Sequence, residues 1–104
     1  MKQFTLKFTE ENLKRHLDYN KNLIFTIRDE PKGGQGDVTI IDGVIYELIL
    51  IGYITMKGTW NTFWKSEGFS SKEEYETEIH RIYGDDSTKK LYIHVLNILP
   101  SVGE

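Results

Sequence analysis

Residues 38–52 read VTIIDGVIYELILIG, and this stretch decides the fold. Two runs rich in Ile and Val flank Asp42-Gly43. An Asp-Gly pair between apolar runs is a strong hairpin signal, because a type I′ turn needs positive φ at both central residues. The pattern predicts strands over 38–41 and 44–51. In the second, both faces are apolar except at Glu47, so the strand is expected to be covered on both sides. Gly52 then predicts a bulge or a bend, as at a barrel corner.

Upstream, LIFTIR at 23–28 is a further strand, rich in β-branched and aromatic residues. The segment DEPKGGQG at 29–36 holds three of the nine glycines and one of the two prolines, so it is a loop. Before it, Thr9 is placed to cap a short helix whose first turn carries Glu10 and Glu11. Leu13 and Leu17 form its narrow apolar stripe, and Asn20 suits its exit. Downstream, 60–65 reads as one or two helical turns. Ser70 and Ser71 open overlapping capping boxes with Glu73 and Glu74. Tyr75, Ile79, Ile82 and Tyr83 then lie on one helical face, with Gly84 as the natural stop. A last strand is expected over 91–98, and Pro100 and Gly103 mark a loose tail at 100–104.

Few strands alternate with helices in this order, so a doubly wound parallel sheet is disfavoured. The expected class is α+β: a small, closed or half-closed mixed β-barrel with two flanking helices. The 104 residues leave room for one domain, 1–104. Ile occurs twelve times and Ala not at all, which favours strands over long helices.

Thirteen basic against sixteen acidic side chains give a formal charge of −3. A sequence-blind polyanion binder needs a broad basic footprint, so that class is disfavoured, while a small basic pocket is not. With no cysteine, disulfides, thiolate metal sites and thiol nucleophiles are excluded. The N-terminus lacks an apolar signal core, and the longest apolar stretch, 44–54, is broken by Glu47 and Gly52. A cytoplasmic protein without a membrane partner is expected. His16, His80 and His94 show no ligand spacing, so neither a metal nor another cofactor is expected.

Three constellations carry chemistry. Thr26 and Arg28 share one sheet face at a strand end, beside Asp29. Arg28 offers a planar fork for phosphate, carboxylate or a base edge, the plainer alternative being an ion pair with Asp29 or a glutamate. Gly36 and Asp37 end the glycine-rich loop, which either presents N–H groups to an anion or simply leads into the next strand. Trp60, Trp64 and Phe69 surround Glu67. A carboxyl in a short turn beside aromatics is open to desolvation and a raised pKa, which suits general acid–base work. Packing alone is the plainer reading for the tryptophans.

The ordered set Thr26-Ile27-Arg28, Gly36-Asp37, Glu67-Gly68-Phe69-Ser70-Ser71, a helix ending at Tyr83 and a closing strand resembles the ASCH domain family. These are small β-barrels related to PUA RNA-binding domains, and the likeness runs from Phe8 to Leu99. It implies a PUA-like mixed barrel and an RNA or nucleoside partner. In length and layout the chain is similar to the family's small single-domain proteins that hydrolyse acetylated cytidine. There a Lys, a Thr and a Glu do the chemistry. Thr26 and Glu67 match in place. The subfamily's lysine stands three residues before the threonine, where this chain has Leu23, and the nearest lysine is Lys21.

Two functions follow as expectations. In the first, a cleft lined by Thr26, Arg28, Asp29, Gly36, Asp37, Lys57, Trp60 and Glu67 binds RNA or one modified nucleoside by stacking and a few polar contacts. In the second, the chain is an amidohydrolase removing the acetyl group from N4-acetylcytidine. Lys21 would take the Thr26 proton, the hydroxyl would attack the acetyl carbonyl, and Glu67 would relay a proton to the leaving amine.

Overall fold

The computed structural model describes residues 2–100 and, among them, every side chain except that of Trp60. Its elements run α1 (Glu10–Asn20), β1 (Leu23–Arg28), β2 (Val38–Ile41), β3 (Val44–Thr55), α2 (Met56–Thr62), α3 (Lys72–Tyr83) and β4 (Lys90–Ile98). The Asp42-Gly43 hairpin forms as its chemistry requires, with φ of 52° and 76°. Thr9 caps α1 through its hydroxyl, which accepts from Asn12 N at 3.1 Å. Ser71 caps α3 in the same way, accepting from Glu74 N at 3.1 Å. Gly84 ends α3 at φ +88°. Replacing Thr9 by Ala leaves that α1 donor without its partner and is expected to cost about 1 kcal/mol, readable as a lower urea midpoint at unchanged slope.

The four strands form one antiparallel sheet in the order β1-β4-β3-β2. β3 is longer than the 44–51 run. It continues through Gly52 to Thr55, pairing with β4 as far as Lys90. The bulge lies between Leu48 and Leu50, and Gly52 is paired with Ile93 inside the ladder. Thr55 then caps α2. The short helix therefore begins at Met56, ahead of the expected 60–65, and the described residues form three helices where two flanking ones were expected.

The sheet is also not closed into a barrel, where a closed or half-closed one was expected. Among the described residues β1 and β2 do not pair, and both are edges. The space between them is crossed by residues 2–8, which take up only one parallel bridge, Gln3 to Val38. That crossing is held at the β2 edge by Phe4 N donating to Val38 O, and at β1 by the Arg28 guanidinium donating to Lys7 O. The Phe4 ring rests on the 29–36 loop at Gly33, where φ is +69° and a Cβ would stand 2.7 Å from the ring. Only glycine fits both conditions.

Each sheet face has its own core. Ile24 and Leu96, opposite one another across β1 and β4, join Leu6, Ile41, Tyr46 and Leu48, with Leu13 and Leu17 of α1 against them. On the other face Ile27 and Leu91 pack with Met56, Phe69, Tyr75 and Ile79 from α2, α3 and the turn between them. Helices thus lie on both faces near β1, and its outer edge becomes the floor of a cleft.

Candidate functional site

At an edge strand, every second residue turns both its N–H and its C=O away from the sheet. At Ile27 side chains take up both. Its N–H donates to Glu67 Oε1 at 3.2 Å, and its C=O accepts from the Tyr83 hydroxyl at 2.9 Å. Glu67 comes from the turn before α3 and Tyr83 from the last turn of that helix. Above this edge opens a cleft of about 260 Å³ between α1 and α3, lined among others by Phe8, His16, Thr26, Arg28, Glu67 and Tyr75.

Glu67 is 5 % exposed. Burial pushes its carboxyl up to about 7, against the opposing pull of Tyr75, Arg15 and the Ile27 N–H. The group therefore changes charge near neutrality. Beside it, the Tyr75 hydroxyl has no hydrogen-bond partner among the described residues, although Tyr75 is only 1 % exposed. Glu67 and Thr59 lie near enough to act on it, yet neither meets the geometry of a hydrogen bond with it. Burial also holds the Tyr75 phenol well above its usual range, so it remains an O–H.

Two guanidinium groups stiffen the walls. Arg28 donates through Nε to Thr26 Oγ at 3.3 Å and through Nη1 to Lys7 O at 2.7 Å, and its plane stands 4.6 Å from the Phe8 ring centre. Arg15 reaches from α1 to Glu67 O at 2.8 Å and covers the Phe69 ring at 3.9 Å. His16 is buried, with its ring edge-to-face against Phe8. Burial first, then Arg15 and Arg28, push it down to about 3, so it is a neutral imidazole.

Of the residues expected at a site, Thr26, Arg28 and Glu67 meet in this cleft. Asp29 borders an adjoining cavity. Lys21 does not join them. It is exposed and forms the C-cap of α1, with φ −70° and ψ −17°. Its carbonyl accepts from the Tyr46 hydroxyl. Lys57 is exposed on α2, with its backbone N–H on Ser87 O. Gly36 and Asp37 stand outside the cleft as well. The Asp37 carboxylate accepts from Gly34 N at 2.9 Å and Lys2 N at 3.2 Å, tying the loop to the N-terminal crossing. The side chain of Trp60 lies outside the described residues. Sequence reasoning missed Tyr75, His16 and Phe8. Tyr75 sits on the apolar stripe of α3, where periodicity marks it as core, and only its unpaired hydroxyl separates it from its neighbours.

Among the described residues no group of three or more His, Asp or Glu side chains is arranged to hold a metal ion. No helix is long and apolar enough to cross a membrane.

No family model matches the chain, and no curated protein does. Solved structures with the same fold are known. The crystal structure of hypothetical protein PH0355 superposes with a TM-score of 0.66 at 16 % identity, covering 95 % of this chain and all of that one. The solution structure of protein PF0455 from Pyrococcus furiosus gives 0.59 at 17 % identity, covering 95 % of this chain and 99 % of its own. At such identities the likeness concerns the fold alone.

Proposed function

We propose that the chain binds a single nucleobase or nucleoside, free or within an RNA, in the cleft on the outer edge of β1. The observation that carries this reading is the buried, unpartnered Tyr75 hydroxyl beside the Glu67 carboxyl. A buried donor left unsatisfied costs about 1–3 kcal/mol. A ligand that brings an acceptor recovers that cost at the moment of binding. Glu67 offers an acceptor when ionised and a donor when protonated, and its position near neutrality makes both forms accessible. A base edge presents donors and acceptors at that scale, and the aromatic rings of Phe8 and Tyr83 supply walls for its faces. The net charge of −3 suits one base held in a cleft better than a long phosphate track.

The amidohydrolase reading draws support from Thr26 and Glu67 sharing the cleft, and stands second. Among the described residues the Thr26 hydroxyl bonds only with Arg28 Nε, and a guanidinium cannot take its proton. Assaying N4-acetylcytidine turnover in the same preparation separates the two readings.

The test is calorimetric titration with the four common nucleosides and N4-acetylcytidine. At least one is expected to bind, and Arg28→Ala, which frees both the Thr26 hydroxyl and the Phe8 ring, is expected to weaken it about tenfold or more. Absence of binding by every nucleoside to folded protein, or equal affinity in Arg28→Ala, would overturn the reading.

A further inference from the structure

A second cavity, of about 440 Å³, adjoins the cleft and shares Lys7, Arg28, Ile82 and Tyr83 with it. Its polar lining differs in sign from the rest of the molecule. Lys7, Arg28 and Lys32 contribute three cations, and Asp29 one anion, in a chain whose net charge is −3. Each of these cations keeps a donor that a ligand could use. Lys7 makes no ion pair among the described residues. Arg28 uses Nε and Nη1 on Thr26 and Lys7 O, and among the described residues Nη2 has no hydrogen bond. Lys32 meets Glu30 at 3.5 Å in a solvent-exposed pair, a kind that is readily given up.

The backbone at Lys32 is also held in place. Its backbone N–H donates to Nε2 of His94 at 2.9 Å. His94 is fully buried on β4 and directs Nδ1 to Tyr92 O at 3.2 Å, which fixes Nε2 as the acceptor. The glycine-rich loop is thereby fastened to the sheet where it brings Lys32 to the cavity wall. Arg28 is equally fixed, by its two hydrogen bonds and the Phe8 ring. The Arg28 guanidinium and the backbone that carries Lys32 are therefore positioned before any ligand arrives, which lowers the cost of binding an anion.

We propose that the ligand is a nucleotide bearing a phosphate monoester, its base in the cleft over Glu67 and Tyr75 and its phosphate in the adjoining cavity against Lys7, Arg28 and Lys32. The inference rests on the base-binding reading of the cleft and adds the phosphate to it. In a nucleotide the phosphate stands one ribose away from the base, and the two cavities adjoin, sharing Arg28 and Tyr83 in their lining. The same chemistry occurs in a free mononucleotide and in the phosphorylated end of an RNA.

The test is titration of the full chain with each nucleoside, its 5′- and 3′-monophosphates, inorganic phosphate, and short RNAs ending in a phosphate. A monophosphate is expected to bind about tenfold or more tightly than its nucleoside, with the advantage shrinking as salt is raised. In Lys32→Ala and Lys7→Ala the ratio of nucleotide to nucleoside affinity is expected to fall toward one. A mononucleotide that outbinds the RNAs identifies a free nucleotide, whereas equal binding identifies an RNA terminus. Should nucleosides bind and their monophosphates bind no better, the phosphate inference fails while the base-binding reading stands. Should neither bind, both fail.

Discussion

A Glu67→Gln protein is expected to be more stable than the parent by about 3 kcal/mol near pH 8, and to lose that advantage by about pH 4.5. The unfolded carboxyl releases its proton near its ordinary value of 4.5, while burial holds the folded one to about 7. Between these values the folded state carries the extra proton, so stability falls as pH rises. At roughly 1.4 kcal/mol per pH unit the gap amounts to about 3 kcal/mol. Glutamine matches the neutral acid in shape, keeps an oxygen for the Ile27 N–H and never ionises.

His16 works in the opposite sense. Burial lowers it from 6.5 to about 3, so its contribution is complete above 6.5 and is lost as pH falls toward 3. Where the two ranges overlap, from 4.5 to 6.5, the slopes oppose each other. The parent is therefore expected to show a flat stability profile there and to weaken below it. The Gln variant, freed of the Glu67 slope, should decline through the whole range. Urea denaturation of both proteins across pH decides the matter, and parallel profiles would remove the buried, neutral Glu67 from the argument.

Tyr75→Phe carries the second large effect, with opposite signs for stability and binding. The hydroxyl is buried and bonds to nothing among the described residues, so deleting it removes a desolvation cost and no hydrogen bond. A gain of about 1–3 kcal/mol in unfolding free energy is expected. Nucleoside affinity should fall about tenfold or more, because the donor that a ligand would satisfy is gone. Tyr83→Phe is the control. Its hydroxyl does bond, to Ile27 O at 2.9 Å, and that variant should lose about 1 kcal/mol. A Tyr75→Phe protein less stable than the parent would show that the hydroxyl is satisfied in the free state.

The local grammar of the chain was legible wherever chemistry acts between near neighbours. The Asp42-Gly43 turn, the Thr9 and Ser71 caps and the Gly84 stop each rest on a few consecutive residues. Reading failed where distant parts compete. Gly52 suggested a bulge, yet it pairs with Ile93, and the ladder slips at Leu48 and Leu50. Gly58 lowers helix propensity at the start of α2, so the turns beginning at Met56 had little local signal. Closure of the sheet depends on whether the N-terminal crossing adds a full ladder to β2, and it adds one bridge.

The site divides along the same line. Thr26 and Arg28 could be read from strand alternation, and Glu67 from a carboxylate among aromatics. Lys21 was placed by extending that alternation two residues before β1, but residue 21 has helical backbone angles and two-residue parity does not reach it. That His16, Thr26, Glu67 and Tyr75 meet is a fact of tertiary packing. No spacing within one element encodes it.

The Glu67 and Tyr83 contacts to Ile27 also bear on colloidal behaviour. A bare strand edge is an invitation to another chain, and β1, rich in Ile and Phe, would be an adhesive one. Here the two side chains occupy the positions where an incoming strand would dock its own amide and carbonyl. The groups that shape the cleft thus serve as gatekeepers against intermolecular β-pairing, and the requirement to stay monodisperse constrains residues 67 and 83 independently of any ligand they meet.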